Sequence, residues 1–282
     1  MPGFMPALDC ISFKTNNGRM TDLPASASAY TLLPPAGQQV VVVGGAGGIG
    51  RQLVRRLTAD CGADVTVIDL AESLARHAPP VGVAAIAADA RDDGAVADAF
   101  AAIGQRWGGC DAIVNLCGYA DEARPVLETP GGTWHDVLAG NLGAAFHVSR
   151  HGAPLLRPGG SLVHMASGIA QLGTPGYGPY GAAKAGVINL VRTLAQELAP
   201  AIRVNAVAPA AVDTAFLRGG TGRGAEDGPP RRLDADAYAA RVPLGRIAVP
   251  DDVAGPILFL LGPGASYITG QTLYINGGTY FA

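Results

Sequence analysis

Short runs of β-branched apolar residues alternate along most of the chain with longer Ala-rich stretches whose apolar residues recur at helical spacing. The short runs predict buried strands and the longer stretches predict helices. In the first half, strands are predicted over 40–44, 64–69, 83–88 and 112–115, and helices over 48–60 and 92–107. In the second half, strands are predicted over 161–165, 203–207 and 272–275, and helices over 133–156, 180–198 and 251–261.

Strand and helix alternation of this kind is typical of a parallel sheet that is covered by helices on both faces. We therefore predict a Rossmann-type doubly wound α/β fold, with three α/β/α layers and a sheet of about seven strands. The chain has 282 residues and suits a single domain over 38–282, with residues 1–37 as an irregular, Pro-containing N-terminal extension. No internal repeat is visible.

The segment 215–242 interrupts the alternation with clustered glycines, prolines and arginines. It follows a strand, and ligands of open α/β sheets bind at the carboxyl ends of strands. We expect a substrate flap here, although a surface insertion without function is the alternative interpretation.

Composition narrows the possible functions. With 20 Lys and Arg against 23 Asp and Glu, the net charge is −3, which disfavours nucleic acid and anionic membrane as partners. The aliphatic runs of the chain are far shorter than the roughly 20 residues of a membrane-spanning helix. The four cysteines lack metal-site spacing, so no metal is expected, and the N-terminus does not resemble a secretory signal. We predict a cytoplasmic protein with a small-molecule substrate.

A glycine-rich run, Val43 to Gly50, joins the first strand to the first helix. It predicts a pyrophosphate site at the helix N-terminus, where free amides and the helix dipole favour an anion, although a purely structural turn is the alternative. Asp69 ends the second strand, where its carboxylate could accept hydrogen bonds from the adenosine ribose and repel a 2′-phosphate. Since Leu70 follows it, the prediction is NAD over NADP, with a helix cap as the alternative role of Asp69.

Three further residues predict the chemistry. Tyr180 and Lys184 stand four residues apart, so on a helix they share one face, and Ser167 lies thirteen residues upstream of Tyr180. A cation about 4 Å from the phenol could lower its pKa by about three units, which would make Tyr180 a usable acid or base.

Together these features resemble the short-chain dehydrogenase/reductase family over residues 38–282. The resemblance implies that Tyr180 is the general acid/base, that Lys184 lowers its pKa and binds the nicotinamide ribose, and that Ser167 holds the substrate oxygen. Asn141 would keep a helix kink and a water that links Lys184 to solvent. The implied catalytic residues are Asn141, Ser167, Tyr180 and Lys184. The expected cofactor-binding residues are Gly44, Gly48, Ile49, Gly50, Asp69, Leu70, Asp89, Ala90, Asn115, Gly118, Tyr180, Lys184, Pro209, Val212 and Thr214.

The expected function is an NAD-dependent oxidoreductase that transfers hydride between the cofactor and a secondary alcohol or its ketone. An NADPH-dependent ketone or 3-oxoacyl reductase is the alternative within the same class, and a catalytically silent dinucleotide-binding sensor or scaffold is the alternative outside it. The resemblance also implies a homotetramer built through the helices at 133–156 and 180–198. We expect Tyr280 and Phe281 to form an exposed aromatic tail that docks on a neighbouring subunit.

Overall fold

A computed structural model describes residues 32–219 and 233–281. Seven parallel strands form one sheet in the order β3-β2-β1-β4-β5-β6-β7. The strands are β1 (Gln39–Val43), β2 (Asp64–Asp69), β3 (Ala84–Ala87), β4 (Cys110–Asn115), β5 (Leu156–Met165), β6 (Arg203–Pro209) and β7 (Thr272–Ile275). The predicted fold class is confirmed.

Helices cover both faces of this sheet. They are α1 (Gly48–Ala59), α2 (Ala71–Arg76), α3 (Asp93–Trp107), α4 (Gly131–Leu138), α5 (Ala144–Gly152), α6 (Gly178–Leu198), α7 (Phe216–Gly219), α8 (Ala235–Ala239) and α9 (Pro250–Leu261). The short helices α2, α7 and α8 are absent from the sequence prediction because segments of four to six residues carry too little helical periodicity.

The valines of β1 show why this strand must lie at the centre of the sheet. Val40 and Val42 pack into the cluster that contains α1 and α9, whereas Val41 and Val43 pack into the cluster that contains α3, α5 and α6. Because successive side chains of a strand point to opposite faces, a run of valines is stable only where both faces are covered. All four are almost completely buried.

The predicted helix over 133–156 is wrong in its continuity and its end. A π-helical turn, Ala139–Gly143, separates α4 from α5, and a 3-10 turn, Ala153–Leu155, ends the segment before β5 begins. The side chain of Asn141 donates a 2.8 Å hydrogen bond to the main-chain oxygen of Val137, one turn earlier. Since a regular helix would use the main-chain amide for that oxygen, the side chain competes with it and the turn widens.

From β1 the chain runs outward through β2 to β3 at one edge of the sheet. It then returns to β4 on the other side of β1 and continues through β5 and β6 to β7, so the strand order reverses between β1 and β4. In open α/β sheets a crevice opens outside the carboxyl ends of the strands at this point. Two predicted features lie partly outside the described residues: the N-terminal extension over 1–37, of which 1–31 are not described, and the flap over 215–242, of which 220–232 are not described. Both stay predictions.

Candidate active site

A cleft of about 420 Å³ opens at the carboxyl edge of the sheet. Of the predicted cofactor residues, its lining includes Gly44, Gly48, Asp69, Leu70, Asp89, Ala90, Gly118 and Thr214. Ile49, Gly50, Asn115, Pro209 and Val212 do not line it, and neither do the four predicted catalytic residues. The cleft therefore lies where the sequence predicts the dinucleotide site, and the predicted catalytic residues do not line it.

The glycine turn forms the floor of this cleft because side chains do not fit there. Gly44 has φ +81°, and a Cβ atom on it would lie 3.1 Å from the main-chain carbon of Leu116. A Cβ atom on Gly48 would lie 2.7 Å from a side-chain carbon of Thr214. No described side chain caps the N-terminus of α1. Amide hydrogens at this end can thus meet a pyrophosphate directly.

Asp69 has a structural task that the sequence did not reveal. One carboxylate oxygen accepts a 2.9 Å hydrogen bond from the amide of Ala46 in the glycine turn, and the other accepts a 2.8 Å bond from the amide of Leu70. Burial raises the pKa of this carboxyl, against the lowering effect of these hydrogen bonds. Asp69 therefore ties the end of β2 to the turn, and it also lines the cleft.

Basic residues near Asp69 were missed in the sequence. Arg51, Arg76 and His77 all line the same cleft. Arg51 directly follows Gly50, so its position in the first turn of the helix was the available signal. Asp89 also lines the cleft, and its carboxylate forms a forked ion pair with Arg91, whose nitrogens lie 2.6 to 3.1 Å away.

Tyr180 and Lys184 lie one turn apart on α6, as their spacing predicts, and both are buried, with 8% and 1% of their surface exposed. The Lys184 ammonium donates hydrogen bonds to the main-chain oxygens of Met165 at 2.8 Å and Cys117 at 3.4 Å. It lies 5.6 Å from the centre of the Tyr180 ring. Two carbonyls of neighbouring strand ends thus solvate the buried cation.

The expectation that Lys184 lowers the pKa of Tyr180 needs correction for the chain alone. Burial raises the pKa of Tyr180 to about 12, and a hydrogen bond with Ser167 opposes that shift. Burial also lowers the pKa of Lys184 to about 8. The physical reason is that removal from water penalises the charged form of each group more than the observed contacts favour it.

Apolar residues pack against Tyr180. Phe216, in the first turn of α7, lies over Tyr180 with ring centres 6.0 Å apart. Ser167 lies two residues after the end of β5 and caps a 3-10 turn, Gly168–Ala170, where its side chain accepts a 3.3 Å hydrogen bond from the amide of Ile169. Ile169 packs against the cluster that contains Tyr180. Phe216 and the turn after Ser167 therefore both pack against Tyr180.

Tyr280 does not form the exposed tail that the sequence suggested. Its ring packs on Gly168, where a Cβ atom would lie 2.9 Å from a ring carbon, and meets Tyr274 edge to face at 5.6 Å. Phe281 is 93% exposed. The contact of Tyr280 with Gly168 is long-range in sequence, so local composition gave no signal for it, and it brings Tyr280 close to the residue that follows Ser167.

Asn141 contains a buried polar atom that has no hydrogen-bond partner in the described part of the chain. Its amide nitrogen donates to the main-chain oxygens of Val137 and Tyr119, both at 2.8 Å, while its oxygen is unsatisfied. A Cβ atom on Gly118 would collide with that oxygen and would lie 2.7 Å from Nζ of Lys184. Asn141 and Lys184 therefore both lie against Gly118, which lines the cleft, and the residues present fit the polar, ribose-bearing end of a dinucleotide.

The remaining predicted cofactor residues lie at the ends of β4 and β6 and in the segment that follows β6. Pro209 ends β6, Val212 forms a β-bridge with Ala248, and the hydroxyl of Thr214 donates to the main-chain oxygen of Val212 at 3.4 Å. Asn115 ends β4 and accepts a 3.1 Å hydrogen bond from the amide of Cys117.

Within the described ranges, no helix has the length and apolar character to cross a membrane.

Known proteins resemble the chain over nearly the whole described region. A family model described as enoyl-(acyl carrier protein) reductase matches residues 44–280. An uncharacterized short-chain type dehydrogenase/reductase of Sinorhizobium fredii is 37% identical over 86% of the chain, which spans 43% of that protein. The cis-4-hydroxycyclohexanecarboxylate dehydrogenase of Sinomonas cyclohexanicum is 34% identical, over 84% of this chain and 94% of that one.

The 3-oxoacyl-[acyl-carrier-protein] reductase FabG of Thermotoga maritima is 33% identical, over 86% of this chain and 97% of that one. Among solved structures, a short-chain dehydrogenase/reductase (glucose/ribitol dehydrogenase) from Brucella melitensis superposes with a TM-score of 0.77 at 30% identity. That likeness covers 89% of this chain and 99% of the other.

Proposed function

The chain belongs to the short-chain dehydrogenase/reductase family of oxidoreductases, and we propose that it is an NAD-dependent enzyme that interconverts a secondary alcohol and its ketone. The observation that supports this most is the burial of Tyr180 and Lys184 on one face of α6, beside Ser167 and next to Gly118, which lines the cleft. When bound, the nicotinamide ring supplies or accepts the hydride.

The chain's own residues handle the proton and the orientation. Tyr180 is protonated at neutral pH because its pKa is raised to about 12, so it serves as the proton donor to the oxygen of a ketone under reduction. In the oxidative direction it accepts the alcohol proton. Ser167 hydrogen-bonds with Tyr180 and holds the same substrate oxygen. Lys184 donates to two carbonyls, and its third ammonium hydrogen would be available to the cofactor ribose.

Asp69 supports the NAD assignment, since a carboxylate at the end of β2 would repel a 2′-phosphate. The glycine turn and the N-terminus of α1 would hold the pyrophosphate, and Asp89 and Ala90 would flank the adenine. Val212 and Thr214 would meet the carboxamide of the nicotinamide. The unsatisfied oxygen of Asn141 supports a role in holding a water near Lys184.

An NADPH-dependent ketone or 3-oxoacyl reductase is the second candidate. Arg51, Arg76 and His77 line the cleft together with Asp69, and these basic groups would favour a 2′-phosphate. The similarity to the 3-oxoacyl-[acyl-carrier-protein] reductase FabG also favours this second candidate. Measuring kcat/KM with both cofactors separates the two candidates: a preference for NADP of about tenfold or more would refute the NAD assignment.

The experiment that tests the proposed function is a panel of secondary alcohols, hydroxy-substituted ring carboxylates and sugars with NAD, followed by NADH absorbance at alkaline pH. The names of the relatives from Sinomonas cyclohexanicum and Brucella melitensis motivate the ring alcohols and the sugars. Turnover of any member supports an alcohol dehydrogenase. Cofactor binding with no turnover in either direction, including reduction of the matching ketones, would favour the silent sensor or scaffold.

We also propose that the protein forms a homotetramer and is located in the cytoplasm. Phe146 is an exposed aromatic residue on α5, a helix with many small side chains, and such a surface suits close packing against a second subunit. Light scattering of the purified protein tests this, and a monomeric mass would contradict it.

A further inference from the structure

His164 is a fully buried histidine that the reaction described above does not use. It lies in β5 directly opposite Asn115 of β4, three residues before Ser167, and 0% of its surface is exposed. A buried imidazole is costly unless both ring nitrogens have partners. Its partners therefore define what it does.

The hydrogen-bond pattern fixes the tautomer of His164. The hydroxyl of Ser149 donates its hydrogen to the main-chain oxygen of Ala145 at 2.7 Å, so its oxygen can only accept from Nε2 of His164, 3.0 Å away. Nε2 thus carries the hydrogen, and Nδ1 is an acceptor. The amide nitrogen of Asn115 donates to this Nδ1 at 3.3 Å.

The orientation of the Asn115 amide follows from its other partner. Its oxygen accepts the 3.1 Å hydrogen bond from the amide of Cys117, so its nitrogen must point to His164. The main-chain oxygen of Cys117 in turn accepts from the Lys184 ammonium at 3.4 Å. Hydrogen bonds therefore link Ser149 on α5, through His164 and Asn115, to the amide of Cys117, and the backbone of Cys117 carries the link to the candidate catalytic lysine.

The second carbonyl that holds Lys184 belongs to Met165, the residue next to His164. His164 thus flanks one of the two carbonyl ligands of the ammonium and orients the other through Asn115. We propose that His164 is a positioning residue that, as the neutral Nε2–H tautomer, fixes the turn from Asn115 to Cys117 and thereby the ammonium of Lys184. This inference rests on the proposed function.

The electrostatics agree with this geometry. Burial, and then the charge of Lys184, lower the pKa of His164 to about 3, so the ring stays neutral throughout the working range. Among the groups that hydrogen-bond to the ring, Ser149 and Asn115 carry no charge, which leaves Lys184 as the charged neighbour that acts on it. A second cation beside Lys184 would repel it, so only a neutral ring can hold this site together.

Two substitutions separate the two ring nitrogens. In His164→Asn, the side-chain oxygen stands near the position of Nδ1 and can still accept from Asn115. In His164→Gln, the amide reaches the position of Nε2 and can still meet Ser149, but Asn115 loses its acceptor. If His164 only fills the core, both variants should change stability alone.

We expect His164→Asn to keep kcat and the dissociation constant of NADH within about twofold of wild type. His164→Gln should lower kcat and weaken NADH binding by about tenfold, because Asn115 is left unsatisfied and the turn below Lys184 loosens. The pKa of Lys184 in the pH profile of kcat should also move downward in this variant, because a displaced Cys117 carbonyl stabilises the buried ammonium less. Equal losses in the two variants, or no loss in either, would overturn the proposal.

Ser149→Ala is the matched control, since it removes only the partner of Nε2. It should lower the unfolding temperature without shifting the pKa of Lys184 in the pH profile of kcat. A shift as large as that in His164→Gln would refute the link through Asn115. Should the His164 variants not fold, nitrogen NMR of the wild-type imidazoles decides: the Nε2–H tautomer is expected at pH 6, and the other tautomer or an imidazolium would overturn the proposal.

Failure of the proposed function would be distinguishable from failure of this inference. If the wild-type protein neither binds NADH nor turns over substrate, the proposed function is wrong. If the wild type is active and His164→Asn and His164→Gln behave alike, only the role of His164 is wrong.

Discussion

Lys184 donates a 2.8 Å hydrogen bond to the main-chain oxygen of Met165, at the carboxyl end of the strand that its helix packs against. The ammonium, on a side chain that is 1% exposed, is therefore stabilised by main-chain carbonyls. This relationship explains how a buried lysine is tolerated, and it fixes the side chain next to Gly118, which lines the cleft.

The buried Lys184 predicts a dependence of stability on pH. Its pKa is about 8 in the folded protein against 10.5 ordinarily, so between these values the unfolded chain binds more protons, and the free energy of unfolding rises with pH. The full rise corresponds to roughly 3 kcal/mol. Above pH 10 the raised pKa of Tyr180 has the opposite sign, because the unfolded chain then binds fewer protons.

Urea unfolding at pH 8, 9 and 10 checks this prediction. Lys184→Met keeps most of the apolar stem and should flatten the rise. Arg192→Met removes an exposed charge from the same helix and should leave it unchanged. A wild-type protein whose stability does not differ between pH 8 and pH 10 would contradict the burial of a titrating lysine.

We expect that a single methyl group added at Gly118 lowers activity. A Cβ atom there would collide with the Asn141 oxygen and lie 2.7 Å from Nζ of Lys184, so Gly118→Ala should lower kcat/KM by at least about tenfold. Gly255→Ala is the matched control. It meets nothing within 4 Å inside α9, and alanine there should add about 0.5–1 kcal/mol of stability without loss of activity. Equal activity of both variants would show that Gly118 is not near the reacting groups.

Asp69 predicts the cofactor preference and also a structural cost. Asp69→Asn removes the negative charge and should shift the ratio of kcat/KM for NADP over NAD upward by about tenfold. It should also cost about 1–3 kcal/mol, since the amide cannot accept from both Ala46 and Leu70. Asp98→Asn, at an exposed position of α3, serves as the control. An unchanged ratio would mean that the carboxylate only braces the glycine turn.

How far the sequence could predict this molecule depends on the range of each interaction. The helical spacing of Tyr180 and Lys184 and the strand pattern around Val40 are local signals, and they predicted the shared face of α6 and the sheet. The packing of Phe216 on Tyr180 joins residues that are distant along the chain. No spacing rule indicates such a contact.

Two errors have the same origin at a finer scale. The π-helical turn at Asn141 arises because one side chain competes for a main-chain oxygen, which apolar periodicity does not report. The pKa of Tyr180 was predicted from one charge at an assumed distance, whereas burial of the ring dominates it in the structure. Desolvation depends on the whole fold, so the sequence could identify the reacting residue but not its protonation behaviour.

The most direct test of the central claim compares wild type, Tyr180→Phe and Tyr267→Phe for NADH formation with the best substrate of the panel. Tyr267 is exposed, so its variant controls for the loss of a tyrosine hydroxyl as such. The account predicts that Tyr180→Phe still binds NADH, as measured by its fluorescence, but loses nearly all turnover, while Tyr267→Phe keeps wild-type turnover. Turnover of Tyr180→Phe comparable to that of wild type would contradict Tyr180 as the proton donor and acceptor.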